Sequence, residues 1–293
     1  MKVQAGQTVL LTGASGGLGA HLTAAFSAVK TNMALVAFPG NDLEKLRADV
    51  LHCGGKAIAF NSDLRDPQQR RHVVECTRKE LGEIDILVNN AGVEFTSPYH
   101  ELTEENILDV LRVNLEASMV MTWLVLPQML KSRRGHIVNI SSLAGKANPA
   151  LQEPYAASKA GLIGFTYSLR ATYRREGVSA SVIVPGFVET GIYTRLKERS
   201  GYSAPALLGT SPPEKVIQAV MRALSNDLPE IIVNPLPVRP LLALLSLFPS
   251  FGEWALAKTG GHDFFRKVFE ASKERSGLQP AKQEKIAALN RAP

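Results

Sequence analysis

Residues 8–19 read Thr-Val-Leu-Leu-Thr-Gly-Ala-Ser-Gly-Gly-Leu-Gly. The apolar run Thr8 to Leu11 stops at Thr12-Gly13, and Leu18 to Val29 then carries apolar residues at helical spacing. That is a strand, a glycine turn and a helix. Gly13, Gly17 and Gly19 let backbone come close to a pyrophosphate and let the helix start pack against the sheet. The helix N-terminus then offers an anion free N–H groups and partial positive charge. Glycine turns also occur without a ligand, so the placement between strand and helix is what gives this one weight.

The same alternation continues outward. Apolar runs at Met33–Phe38, Ala57–Phe60, Ile84–Val88, His136–Ile140, Ala180–Val184 and Ile231–Val233 read as six further strands. Pro39-Gly40 breaks the second. Asp42 is placed to cap a helix carrying Leu43, Leu46 and Val50 on one face, and Gly54-Gly55 ends it. Pro67 opens another helix, with Val73, Val74 and Leu81 inward. Strands without a polar face are buried on both sides, which is the mark of a parallel sheet covered by helices. The expected fold class is α/β: a doubly wound parallel sheet in three αβα layers, with a helical C-terminal extension. Three prolines within Asn234–Pro240 mark the boundary, giving a main domain at 1–233 and an extension at 234–293. The loop from Ile192 to Thr210 has no readable chemical signature.

The 293 residues are 45% hydrophobic and 20% charged, which excludes a disordered or collagen-like chain. The net charge of +6 is spread along the sequence, and its densest groups, Lys131–Arg134 and Arg174-Arg175, read as solvated helix ends. No nucleic-acid partner is expected. Cys53 and Cys76 are too few for a disulfide framework and stand in no metal-ligand spacing, so no metal site is expected either. The start, MKVQAGQTVLLTG, has no signal-peptide pattern, and the apolar stretch Leu241–Phe248 is far shorter than the roughly 20 residues a bilayer needs. The expected setting is the cytoplasm.

Three further motifs carry chemistry. Asn89-Asn90-Ala91-Gly92 follows the fourth strand, where small and amide residues suit a wall for an adenosine, or equally an Asn-rich turn. Tyr155-Ala-Ala-Ser-Lys159 puts a phenol and an ammonium on one helix face. A free Tyr titrates near 10, and a nearby cation lowers that value toward a usable acid or base. On its own, such a pair is more often plain helix surface. Ser142, thirteen residues before Tyr155, ends the fifth strand, where a hydroxyl returned onto the helix can hold a carbonyl oxygen. A Ser pair there is otherwise a turn.

Together, in this order, these pieces resemble the short-chain dehydrogenase/reductase family. The matching residues are Thr12–Gly19, Asp63-Leu64, Asn89–Gly92, Val113-Asn114-Leu115, Ile140-Ser141-Ser142, Tyr155–Lys159, and Pro185-Gly186 with Thr190; coverage runs from about residue 5 to 233. The resemblance implies a Rossmann-type fold that moves a hydride between NAD(P)(H) and a carbonyl or alcohol carbon. It implies Tyr155 as general acid/base. Lys159 lowers the phenol's pKa and holds the nicotinamide ribose. Ser142 binds the substrate oxygen, and Asn114 anchors a water in a relay to Lys159. Gly13, Ser15, Gly16, Gly17, Leu18 and Gly19 hold the cofactor's phosphates, Asp63 and Leu64 flank the adenine, and Asn90, Ala91 and Gly92 form the wall. Pro185, Gly186, Val188 and Thr190 meet the nicotinamide end. A homo-oligomer, dimer or tetramer, is implied too.

An acid at the end of strand two favours NAD, and a basic residue there or in the glycine loop favours NADP. Here the strand ends Phe38-Pro-Gly-Asn41, with Asp42 one step on and Gly16 in the loop. The missing acid tilts the expectation toward NADP(H) and leaves NAD(H) open. The extension departs from the family. Leu241, Leu242, Leu244, Leu245, Leu247 and Phe248 precede Phe251, Trp254 and Leu256, then Phe264, Phe265, Val268 and Phe269, and a polar tail runs from Ser276 to Pro293. Packing over the cleft and on a neighbouring subunit is the expectation, with contact to a membrane surface as the alternative. The leading function is reduction or oxidation of a hydrophobic small-molecule carbonyl or alcohol. The competing one is a catalytically silent nucleotide sensor, which loss of Tyr155 or Lys159 would have favoured.

Overall fold

The computed structural model describes residues 2–206 and 208–275. The tail expected from Ser276 to Pro293 lies outside them. In chain order the first half comprises β1 (Thr8–Thr12), α1 (Gly17–Ala28), β2 (Asn32–Ala37), α2 (Glu44–His52), β3 (Ala57–Asn61), α3 (Pro67–Leu81), β4 (Ile84–Asn89), α4 (Glu104–Leu111) and α5 (Ala117–Lys131). The second half comprises β5 (Gly135–Ile140), α6 (Ala144–Ala147), α7 (Glu153–Tyr173), β6 (Val178–Pro185), α8 (Gly191–Ser200), α9 (Pro213–Asn226), β7 (Glu230–Val233), α10 (Arg239–Leu247), α11 (Pro249–Lys258) and α12 (Gly261–Arg275). The seven strands form one sheet in the order β3-β2-β1-β4-β5-β6-β7, all parallel. The strand order reverses between β1 and β4, which places a ligand crevice at their carboxyl ends.

Both sheet faces are covered, as the unbroken apolar strands predict. Along β1, Val9 and Leu11 join a core with Phe26 of α1, Val50 of α2 and Val220 of α9. Leu10 points to the other side, into a core with Val73 of α3, Met121 of α5 and Leu169 of α7. Asp42 accepts a hydrogen bond from the Glu44 N–H at 2.9 Å, one position ahead of the actual cap residue Leu43, so it braces the start of α2 without being its cap. The helix bearing Tyr155 is tied to the sheet by amides. Asn89 donates to Asn139, which donates to Thr166 of α7, each at 2.8 Å.

Three features depart from the sequence expectation. Part of the stretch read as a loop from Ile192 is helix α8, whose Tyr193, Leu196 and Ser200 are buried at helical spacing. The long helix around Asn114 is interrupted by one wider, π-type turn at Arg112–Glu116 between α4 and α5. The continuous helix Glu104–Lys131 is also long and apolar enough, by length and composition, to cross a membrane, although 44% of its most apolar stretch is buried inside the protein.

The extension returns to the core. Glu230 at the start of β7 takes Lys146 at 2.7 Å and Arg239 of α10 at 3.3 Å, pinning α10 beside α6. Phe264, Phe265 and Val268 of α12 pack with Tyr193 and Leu196 of α8 and with Phe187. Phe187 and Phe264 meet edge to face at 5.1 Å.

Candidate active site

The carboxyl ends of β1, β4, β5 and β6 open onto one cavity of about 340 Å³, roofed by α8, α11 and α12. Its first wall is the turn between β1 and α1. Gly13 has φ +65, and a Cβ there would lie 2.8 Å from Ala91 Cα, so only glycine lets this turn meet the end of β4. A Cβ on Gly17 would lie 2.0 Å from Thr190 Oγ1 and 2.6 Å from the Gly191 nitrogen. No side chain caps the N-terminus of α1, and no acid stands in its first turn. This is a bare-backbone cradle with helix-dipole charge, and it fits a dinucleotide's pyrophosphate.

Gly13, Ser15, Gly16, Gly17 and Leu18 line the cavity; Gly19 does not. A Cβ on Gly19 would lie 2.0 Å from Gly13 O, so this glycine permits helix-to-turn packing rather than ligand contact. Asp63 and Leu64 line the same cavity, as do Asn90, Ala91 and Gly92. Asn90 Nδ2 donates to Gly13 O at 2.9 Å, bracing the glycine turn. Pro185, Gly186, Val188 and Thr190 line the cavity too.

Burial pushes the Asp63 carboxyl up, but hydrogen bonds from Arg65 outweigh it and hold the group below its ordinary value. The same guanidinium reaches Asp109 at 2.7 Å and lies 5.6 Å from the centre of the Phe38 ring. Phe38 is the residue that ends the second strand in the sequence reading; Arg65 is not among the residues the motifs pick out. Arg65 stands only two positions past Asp63, a spacing that could have drawn attention.

Tyr155, Lys159 and Ser142 all line the cavity. Gly145 brings α6 against α7, for a Cβ there would lie 2.6 Å from the Lys159 carbonyl carbon. That contact aims the end of β5, and with it Ser142, at Tyr155. Burial pushes the Tyr155 phenol up to about 12; its hydrogen bond with Ser142 pulls it down, and the nearby Glu94 charge pushes it up. Burial likewise lowers Lys159 to about 8. The Lys159 ammonium donates to Ile140 O at 3.0 Å and sits 5.7 Å from the Tyr155 ring centre. The expected lowering of the phenol by Lys159 does not prevail: burial is the largest influence on the phenol, and the ammonium's hydrogen bond goes to a backbone carbonyl. What results is a neutral phenol, a proton donor at neutral pH.

Asn114 is fully buried and does not line the cavity. Its carboxamide accepts from the Val93 N–H at 2.8 Å and donates to Val93 O at 3.0 Å and Ser158 Oγ at 3.1 Å. This fixes the strand that leaves Gly92 toward the cleft. The side chain is a backbone clamp that also neighbours Lys159: a Cβ on Gly92 would lie 3.4 Å from Asn114 Oδ1 and 3.5 Å from Lys159 Nζ.

The expected packing of the extension over the cleft is met, but the sequence reading did not name several of the residues that line the cavity beneath it. Gln152, three residues before Tyr155, lines it, as do Val93, Phe95, Ile192 and Arg195. Leu256, His262 and Phe265 of the extension complete the roof. His262 Nδ1 accepts from the Ala150 N–H at 3.1 Å, tying that roof to the loop before α7.

The sequence profile described as short chain dehydrogenase matches residues 7–201, two thirds of the chain. The chain belongs to the short-chain dehydrogenase family. Among its relatives is the ketoacyl reductase HetN of Nostoc sp. (strain PCC 7120), 39% identical over 84% of this chain and 85% of that protein. The 3-oxoacyl-[acyl-carrier-protein] reductase FabG of Escherichia coli is 33% identical over 76% of this chain and 91% of its own length. A solved metagenomic short-chain oxidoreductase in complex with NADP superposes with a TM-score of 0.67 at 28% identity, covering 80% of this chain and all of the other. This short-chain dehydrogenase therefore has the αβα fold of its relatives, with α10–α12 following the profile-matched region.

Proposed function

We propose that this short-chain dehydrogenase reduces a ketone on a hydrophobic substrate, or oxidises the matching alcohol, with a nicotinamide dinucleotide. The observation that carries the reading is the convergence of Tyr155, Ser142 and Lys159 on one cavity wall, across from the uncapped helix of the glycine turn. When bound, the dinucleotide supplies or accepts the hydride. Gly13, Gly17 and the α1 N-terminus would hold its phosphates, Asp63 and Leu64 would border the adenine, and Lys159 and Thr190 would meet the nicotinamide ribose.

The chain's own residues manage the oxygen. Ser142 donates to the carbonyl oxygen and orients it. Tyr155, a neutral phenol, gives that oxygen its proton as negative charge develops. The Lys159 charge then stabilises the phenolate left behind. Phe265, Ile192 and Val93 exclude water from the reacting carbon. Ketoacyl reductases among the relatives support a ketone as the reducible group.

The end of β2 offers no acid to a ribose hydroxyl, and Asp42 is spent on the start of α2. We therefore expect NADP(H) to bind at least as tightly as NAD(H), in keeping with the NADP-bound structural relative. A titration with a tenfold preference for NAD(H), about 1.4 kcal/mol, would reverse this. We also propose a homo-oligomer in the cytoplasm. Met119 and Trp123 of α5 and Tyr167 of α7 are large apolar groups left in solvent, and both cysteines are unbridged. Light scattering of Trp123→Glu should report a smaller species than the wild type.

The deciding experiment is a panel of ketones and alcohols followed by absorbance of the reduced cofactor, with NAD(H) and NADP(H) in parallel. Turnover of any medium-chain ketone supports the reading. Tight cofactor binding with no turnover across the panel would support a nucleotide sensor instead.

A further inference from the structure

Beyond Tyr155 the cavity is mostly apolar, and one cation stands out in it. Arg195 projects from α8 into the same cavity as Tyr155 and Gln152. It is half-buried, and desolvation lowers its pKa from the ordinary arginine value. Among the described residues, no hydrogen-bond acceptor and no carboxylate within 4 Å pairs with it. Its closest electrostatic partner by influence is Glu94.

Glu94 does not discharge it. That carboxyl accepts hydrogen bonds from Thr96 Oγ1 and, at 2.8 Å, from Gln152 Nε2. Burial pushes Glu94 upward, toward its neutral form, and the hydrogen bonds and the charges of Arg199 and Arg195 only partly offset this. Ile192, three residues before Arg195 on the same helix face, packs with Tyr155, Val93 and Phe95, which places Arg195 on the substrate side of the cavity rather than at the glycine turn. The neighbouring walls there, Val93, Phe95, Ile192 and Leu196, offer no acceptor from their side chains.

Desolvating a guanidinium without a partner costs free energy, and the cost is recovered when an anion arrives. Arginine's fork suits a carboxylate or a phosphate in particular. We propose that Arg195 receives the anionic end of the substrate, so that the substrate class is an acidic amphiphile: an apolar chain bearing a carboxylate or phosphate in addition to its ketone. This rests on the reductase reading above and adds the charge of the substrate to it.

Isothermal titration of the full chain with decanoate, decyl phosphate and decanol tests the proposal without requiring turnover. Each titration is run with and without saturating NADP+, which blocks anion binding at the glycine turn. The expected result is an anion bound roughly tenfold or more tighter than decanol in the presence of NADP+, the scale of one charge-assisted hydrogen bond. Arg195→Gln should bring that anion down to the affinity of decanol while leaving decanol unchanged, and Arg195→Lys should restore part of it. Decanoate against decyl phosphate tells which anion is preferred. Equal binding of all three probes to the wild type, or an anion preference that survives Arg195→Gln, would overturn the proposal. So would anion binding that vanishes with NADP+. The reductase reading is judged separately: reduction of neutral 2-decanone by the wild type supports it whatever Arg195 does, and its absence alongside intact anion selectivity would sink the reading alone.

Discussion

Along the floor of the cleft, backbone meets backbone: Gly13 against Ala91, Gly17 against Gly191, Gly145 against Lys159. Along the roof, side chains meet side chains: Phe187, Tyr193, Phe264 and Phe265 interlock from three elements. A floor made of main chain holds a ligand by groups every residue possesses, so it tolerates no added atom. A roof made of side chains can change shape with the substrate by changing residues, since its contacts are apolar and non-directional. The comparison separates a generic cofactor half from a particular substrate half, and mutations should divide along the same line.

The largest effect belongs to the floor. Tyr155→Phe keeps the ring and its packing but removes the proton. Turnover should fall by about 10²–10⁴-fold, the usual scale for a general acid, with cofactor affinity nearly unchanged. Steady-state rates and a cofactor titration on the same preparation check this. Near-normal turnover would remove Tyr155 from the chemistry.

Next comes Gly17→Ala. Its new methyl would stand 2.6 Å from a backbone nitrogen, which cannot swing aside as a side-chain end can. The cradle must open, and a misplacement approaching 1 Å costs about 10²-fold. Both cofactor affinity and kcat/KM should drop, whereas Gly40→Ala, with nothing within 4 Å, should leave the site intact. If the two variants bind cofactor alike, the close approach of Gly17 to Thr190 is not what shapes the site.

Third is the roof itself. Phe265→Ala removes a buried ring and should destabilise the α8–α12 contact by roughly 3 kcal/mol. Hydrogen exchange should then quicken in α8 and α12 and stay slow in β1, β4 and β5. KM for bulky ketones should rise while cofactor binding holds. A chain ending at Asn234 should show the same split more strongly, with aggregation added because Leu196 and Tyr193 lose their cover. Should that shortened chain stay soluble and fully active, the extension has no part in the cleft.

The floor was legible in the sequence for the reason that makes it rigid. Glycines at 13, 17 and 19 and the spacing of Tyr155 to Lys159 are local patterns, fixed by a turn or a helix within a few residues. The apolar strands declared a doubly covered sheet in the same way. What the sequence withheld depends on distant partners. The carboxamide of Asn114 clamps Val93, twenty-one residues away, through a π-type turn that no short-range pattern announces. Lys159 donates its hydrogen bond to Ile140 O, nineteen residues away, and burial dominates the Tyr155 phenol. Helix α8 did carry a readable period at Tyr193, Leu196 and Ser200, but it is flanked by Gly191 and Gly201 and is otherwise polar. Arg195 stands between Tyr193 and Leu196, and their cover comes from α12, some seventy residues on in the chain.

A fourth effect is a pH dependence. Lys159 titrates near 8 in the unliganded protein, while Tyr155, near 12, stays protonated across the working range. As pH rises through 8 the floor loses the cation that stabilises the phenolate, so kcat/KM for reduction at limiting cofactor should fall about tenfold per unit above that value. Below 8 it should be flat. Lys159→Met should be slow at every pH and lack the alkaline limb. A limb that remains in this variant assigns the titration elsewhere.

The smallest effect tests how far the roof extends. Helix α11 has two faces: Gly252 and Leu256 are buried, and a Cβ on Gly252 would lie 2.5 Å from Leu245 Cα. On its other face Phe251 and Trp254 are 50% and 57% exposed, packed on each other at 5.4 Å with their planes tilted by 37°, and Lys258 is 6.0 Å from the Trp254 ring. Rings that keep half their surface in water in the folded chain recover little by folding. The double substitution Phe251→Ser and Trp254→Ser should therefore change stability by no more than about 0.5 kcal/mol in a monomeric preparation, plus the small loss of the ring contact. Leu256→Ala, two residues further along the same helix, should cost about 2–3 kcal/mol because it opens a hole above the cavity. Thermal melts of both variants at several protein concentrations make the comparison. Equal melting points for the double variant and the wild type at low concentration would place the functional roof on the Leu256 side alone. A loss above about 1 kcal/mol that grows with protein concentration would mean that the aromatic face is covered in solution by a second chain. The roof would then be a subunit interface as well as a cleft wall.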